Sequence, residues 1–161
     1  MTRSRIIFLV VLLSVLGLAA AAQRVPQLFI ASDRCQACHN GLVTPRGEDV
    51  SIGADWRASM MANSARDPYW QASVRRETRT HPGAAAAIEH ECAACHMPMS
   101  RTQAKAGGGM GRVFANLPAA PLPSDEAALA VDGVSCAMCH QIGKEKLGER
   151  ESFSGGFAID L

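Results

Sequence analysis

The chain has 161 residues, with 16 Lys or Arg against 15 Asp or Glu and a formal net charge of +1. That balance excludes the basic footprint of a nucleic-acid-binding protein. Only 5% of residues are aromatic, and 14 are Gly and 8 Pro, so side chains alone give a chain of this size a weak core.

Residues 1–22 have the layout of a secretory signal peptide. Arg3 and Arg5 form the positive start, Ile6 to Leu18 is an apolar run, and Ala20, Ala21 and Ala22 supply a small-residue cleavage site before Gln23. The run is shorter than the roughly 20 residues a spanning helix needs, so cleavage is expected rather than an anchor. Cleavage leaves 14 basic residues against 15 acidic ones and a formal charge of −1.

Residues 23–34 lead to a first short helical turn that Ser32 or Asp33 is placed to cap. Asn40-Gly41 signals a turn, and Leu42 to Ile52, with Pro45 and Gly47, reads as loop. Gly53 to Arg66 reads as one helix carrying Trp56, Met60 and Met61, stopped by Pro68. Tyr69 to Arg79 reads as a second helix, with Tyr69, Trp70 and Val74 on one side and Arg75 and Arg76 on the other. His81-Pro82-Gly83 breaks it. Ala84 to Glu91 is a strong helix former that runs into Cys92. Met97-Pro98-Met99 should stop that helix. Residues 101–123, with glycines at 107, 108, 109 and 111 and prolines at 118, 121 and 123 among them, read as a Gly/Pro-rich loop. Ser124-Asp125-Glu126 opens a short helix with a cap and an acidic first turn. Asp132-Gly133 turns the chain, and Ser135 is placed to cap the turn that follows. Residues 143–161 form a tail of alternating charge, read as the start of a further region of a longer protein. The domain expected is therefore residues 23–142.

Three runs dominate this frame: Cys35-Gln36-Ala37-Cys38-His39, Cys92-Ala93-Ala94-Cys95-His96 and Cys136-Ala137-Met138-Cys139-His140. They use all 6 cysteines and three of the 5 histidines. C-x-x-C-H is the covalent attachment signature of c-type haem. Cysteines three apart lie on one face of a helical turn and suit the two vinyl groups of a haem. The histidine one residue on shares that face and serves as the proximal iron ligand. A lone C-x-x-C is equally a thiol–disulfide site or half of a zinc site. Three copies, each followed directly by histidine with no cysteine left over, point to three haem c groups. The thioether cysteines are then Cys35, Cys38, Cys92, Cys95, Cys136 and Cys139, and the proximal ligands His39, His96 and His140. C-type haem is attached outside the cytoplasm, so the leader and the runs agree on a periplasmic or extracellular location. The haems themselves are expected to serve as the core, leaving the apo-chain largely unfolded.

What fills the sixth position of each iron separates a carrier from an enzyme. His81 and His90 are the remaining histidines and the candidate distal ligands. His90 lies too close to Cys92 to reach around its own haem and would serve a neighbouring one. Met60 or Met61 is the candidate for the third iron, although methionine is more often core filler. Arg57, Arg66, Arg75, Arg76 and Arg79 are candidates for pairing with haem propionates or for facing water.

The sets Gly133-Val134-Ser135-Cys136-Ala137-Met138-Cys139-His140 and His90-Glu91-Cys92-Ala93-Ala94-Cys95-His96-Met97-Pro98 resemble multihaem c-type cytochromes. More narrowly they are similar to tetrahaem and octahaem cytochromes of nitrogen-cycle redox chemistry, over roughly residues 32–142. The chain departs from these relatives in Trp56-Arg57-Ala58-Ser59-Met60-Met61, where they often carry a histidine. The resemblance implies a mainly α, loop-rich fold with little or no β structure. It also implies closely packed haems, some stacked in parallel, passing electrons between redox partner proteins; the charge balance and the cleaved leader lead to the expectation of no nucleic acid and no membrane contact. The alternatives are a haem enzyme with one open iron acting on a small nitrogen or sulfur compound, and the haem-bearing end of a larger redox protein. No recognisable acid/base set accompanies the runs, which favours a carrier.

Overall fold

In the computed structural model, residues 25–117 and 124–160 are described. The expected leader, residues 1–22, and the last part of the Gly/Pro-rich stretch, residues 118–123, lie outside them. The described chain is mainly helical. Its β structure is two isolated antiparallel bridges, Val43 with Asp49 and Ile142 with Ile159. Eight α-helices follow in order: α1 Ser32–Gln36, α2 Ile52–Arg57, α3 Met60–Asn63, α4 Pro68–Thr80, α5 Ala85–His96, α6 Pro98–Ala106, α7 Asp125–Val131 and α8 Cys136–His140. Short 3-10 turns occupy Pro82–Ala84 and Arg150–Ser154. Among the described residues no helix is long and apolar enough to cross a membrane.

Local chemistry explains the bounds of the longest helix. The Asp67 carboxylate accepts from the Tyr69 N–H at 2.9 Å, and Pro68 takes the first helical position, where its missing N–H costs nothing. At the other end Pro82 pushes His81 out of helical geometry, to φ −124° and ψ 64°. Trp70 and Val74, one turn apart, are the buried residues of α4. Tyr69 lies about 100° around the helix and is exposed, so it leaves the apolar side on which the sequence grouped it.

Two further expectations are corrected. The single helix over 53–66 is broken into α2 and α3, because Ser59 adopts extended backbone and caps α3 by accepting from the Ala62 N–H. Met97-Pro98-Met99 ends one helix but starts the next, with Pro98 again at the first helical position. Residues 101–106 are therefore helical, and the glycine loop begins at Gly107.

The chain builds two apolar clusters from its own side chains. Ala65, Trp70, Val74, Ala93, Met97, Val113 and Ala130 pack together, drawn from α4, α5, α7 and the segments beside them. Phe29, Met99, Leu129, Ala137 and Met138 form the second cluster, against which Phe157 and Ile159 of the tail pack. Met97 and Met99, both fully buried, put one side chain into each cluster across Pro98. Each large buried side chain contributes about 1.5–3 kcal/mol. A core of protein side chains is thus present, where the sequence pointed to haem alone. The tail folds back onto this body, with Gly143 N–H donating to Ala158 and Asp160 N–H to Gln141.

Candidate haem sites

Each C-x-x-C-H run lies on a helical turn. In the first, the His39 N–H donates to the Cys35 carbonyl at 2.9 Å, which carries the helical spacing past the end of α1. The second run closes α5, and the third is α8 itself. In all three the first cysteine is half-buried and the second exposed, and all six thiols are free. Burial pushes the thiols of Cys92 and Cys136 up from their usual range. The neighbouring Cys35 pushes Cys136 further the same way.

That neighbour belongs to the first run, about a hundred residues away along the chain. Runs one and three face each other across a cleft of about 310 Å³. Cys35, His39, Cys136 and His140 all line it, and Ile52 and Trp56 supply apolar wall. Three contacts hold the two runs together. The Asp132 carboxylate accepts from the Ser32 N–H at 2.8 Å and from the Ser32 hydroxyl at 2.6 Å. Trp56 Nε1 donates to the Val134 carbonyl at 3.0 Å. Gln141 Nε2 donates to the Leu28 carbonyl at 3.0 Å. Gly53 lets α2 close on α1, since a Cβ there would lie 3.1 Å from Gln36 Cγ.

The second run is built differently. His96 Nδ1 lies 2.7 Å from the Ser64 carbonyl. A carbonyl only accepts, so Nδ1 carries the proton and Nε2 keeps its lone pair. That is the tautomer of a metal-ligating histidine whose other nitrogen is oriented by the backbone. The Ser64 hydroxyl returns a bond to the His96 carbonyl at 3.0 Å. Trp70 lies flat on the imidazole, with ring centroids 4.2 Å apart and planes 6° from parallel. Sequence reasoning assigned no role to Ser64 and gave Trp70 only a place on a helix face. Nothing in the local pattern marks either, because their partner lies 32 or 26 residues onward in the chain.

The candidate distal ligands differ in their surroundings. His90 Nδ1 accepts from the Gly111 N–H at 2.8 Å, so its Nε2 bears the proton, the opposite tautomer to His96. Burial is the main cause holding the His90 pKa below its usual value, with the Arg101 charge second. Ligation through Nε2 requires this contact with the glycine loop to open. His81 stands at the surface, its Nε2 3.9 Å from Glu77. Met60 and Met61 are 88% and 54% exposed on α3. Of the arginines, Arg75 sits over the Phe114 ring at 3.4 Å, and Arg57 donates to Gln36 Oε1 at 2.7 Å.

Among the described residues no group of three or more His, Cys, Asp or Glu is gathered around a common point to hold a bare metal ion. A haem asks for something else: paired thiols with one histidine on the same turn, and apolar walls. The three turns, the free thiols, the cleft of runs one and three and the His96 tautomer fit that group. Comparison with protein-family models, curated proteins and solved structures gives no match to this chain.

Proposed function

We propose that the chain is an exported c-type cytochrome that passes electrons through three covalently attached haems. The observation that carries this reading is the apolar cleft in which the first and third C-x-x-C-H turns face each other. Thiol–disulfide chemistry gives no reason for an apolar cleft lined by two axial-type histidines. Two macrocycles that share a wall do. Cys35 with Cys38, Cys92 with Cys95 and Cys136 with Cys139 would form the thioethers, and His39, His96 and His140 would ligate the irons. Bound haem supplies one-electron chemistry by cycling its iron between two oxidation states.

The chain's own residues orient and shield. Ser64 holds His96 with Nε2 free, Trp70 covers one face of that ring, and Trp56 and Ile52 give the shared cleft apolar wall. His81, Met60 and Met61 present accessible side chains as distal ligands, whereas His90 is engaged by Gly111. Periplasmic or extracellular location follows from the leader-like residues 1–22, and redox proteins are the partners this chemistry calls for.

The test is the mass and spectrum of the exported full chain. Three covalent haems and low-spin signals unchanged by carbon monoxide or nitrite are expected. A mass short of three haems overturns the reading. One high-spin iron that binds either ligand replaces the carrier with a haem enzyme.

A further inference from the structure

The three axial-type histidines are not held alike. His39 and His140 are exposed, and among the described contacts neither ring has a hydrogen bond or an aromatic neighbour. His96 is gripped on two sides. The Ser64 carbonyl takes its Nδ1–H in the ring plane, and the Trp70 indole lies on its face. A linear hydrogen bond alone leaves the imidazole free to tilt. A parallel aromatic at 4.2 Å removes that freedom, because any tilt drives one ring edge into the indole. Trp70 is itself fixed. It is 9% exposed and packed among Ala65, Val74, Ala93 and Met97, so it cannot follow the imidazole.

We propose that Trp70 is a positioning residue for the second haem: it presets the plane of the His96 imidazole that ligates the iron. The inference rests on the reading of Cys92-to-His96 as a haem site. The imidazole plane decides which iron orbitals its π system meets, and so the anisotropy of the ferric low-spin signal. A preset plane makes the second haem's signal narrow and distinct, whereas His39 and His140 take their planes from the haem and its surroundings. Trp70 thereby separates one haem electronically from the other two, without touching the attachment chemistry.

The experiment compares the exported full chain with Trp70→Leu and Trp70→Phe by protein mass and by electron paramagnetic resonance of the ferric state. All three should carry three haems. In Trp70→Leu one low-spin signal should broaden and shift its g values while the other two stay in place. Trp70→Phe, which keeps an aromatic face, should show the same change at less than half the size. Unchanged signals in Trp70→Leu overturn the proposal and leave Trp70 a packing residue. An equal shift of all three signals overturns it as well, since that reports general loosening. If Trp70→Leu is not recovered, an unchanged spectrum of Trp70→Phe beside a lowered thermal midpoint decides against it. A wild-type mass without three haems would instead remove the haem reading on which the proposal stands.

Discussion

Gly133 sits at φ 67°, and the space beside it is closed. A Cβ there would lie 2.5 Å from the Met61 carbonyl and 2.8 Å from the Ser64 hydroxyl. The left-handed backbone alone costs an L-residue about 1–2 kcal/mol. The clash adds to this, because the blocking atoms include backbone that also accepts the Val134 N–H at 3.0 Å. Gly133→Ala is therefore expected to cost about 2–4 kcal/mol. Gly41, at φ 68° with nothing within 4 Å, supplies the control. Its replacement by Ala should cost only the backbone term of about 1–2 kcal/mol. Thermal midpoints of the two variants measure the difference, and equal midpoints would show that the Met61 backbone yields freely. The position matters for the candidate sites because Ser64, which the new methyl would press, is the residue that orients His96.

Helix ends show where local sequence logic held and where distant contacts took over. Ser124 caps α7 as its sequence indicated, accepting from the Ala127 N–H at 3.1 Å above the acidic pair Asp125 and Glu126. Ser32 and Ser135 do not cap their turns. The Ser135 hydroxyl donates to Met99 Sδ at 3.4 Å, and α1 receives its cap from Asp132, a hundred residues on. Asp132 is 7% exposed and binds both the N–H and the hydroxyl of Ser32. Removing it strands two buried donors. Asp132→Ala should cost about 2–4 kcal/mol, and Ser32→Ala, which loses one of the two bonds, about 1 kcal/mol. Denaturant midpoints of the two variants test this, and equal losses would sink the idea of a remote cap. The same contrast explains what the sequence could and could not disclose. Helix-forming runs and C-x-x-C-H turns are local and legible, whereas the prolines at 68 and 98, read as stops, also open the next helices. The break at Ser59, the exposure of Tyr69 and the cap from Asp132 depend on what lies opposite, and no window of sequence contains it.

At the scale of the molecule, the chain order of the three runs differs from their order in space. The Asp132–Ser32 staple, the Trp56–Val134 bond and the Gln141–Leu28 bond fold the third run onto the first. The second run lies at the end of α5, tied to Ser64 and Trp70 instead. Sequence reasoning had His90, beside Cys92, reaching to a neighbouring iron. The structure gives His90 to Gly111 and makes the first and third runs neighbours. If three haems are attached, removing the first should therefore disturb the third more than the second. Cys35→Ala combined with Cys38→Ala removes the first thioether pair while leaving Asp132, Ser32 and Trp56 to hold the cleft. The prediction is a two-haem protein in which one remaining haem changes its potential and its low-spin signal. The unchanged haem is the second, identified as the one that responds to Trp70→Leu in the same background. The cause is direct, since an apolar plate and its charged propionates are replaced by water against the wall formed by Ile52, Trp56 and Ala137. Equal changes at both remaining haems would show that the runs communicate through the body of the protein rather than across the cleft. A change confined to the second haem would show that the second run, not the third, neighbours the first.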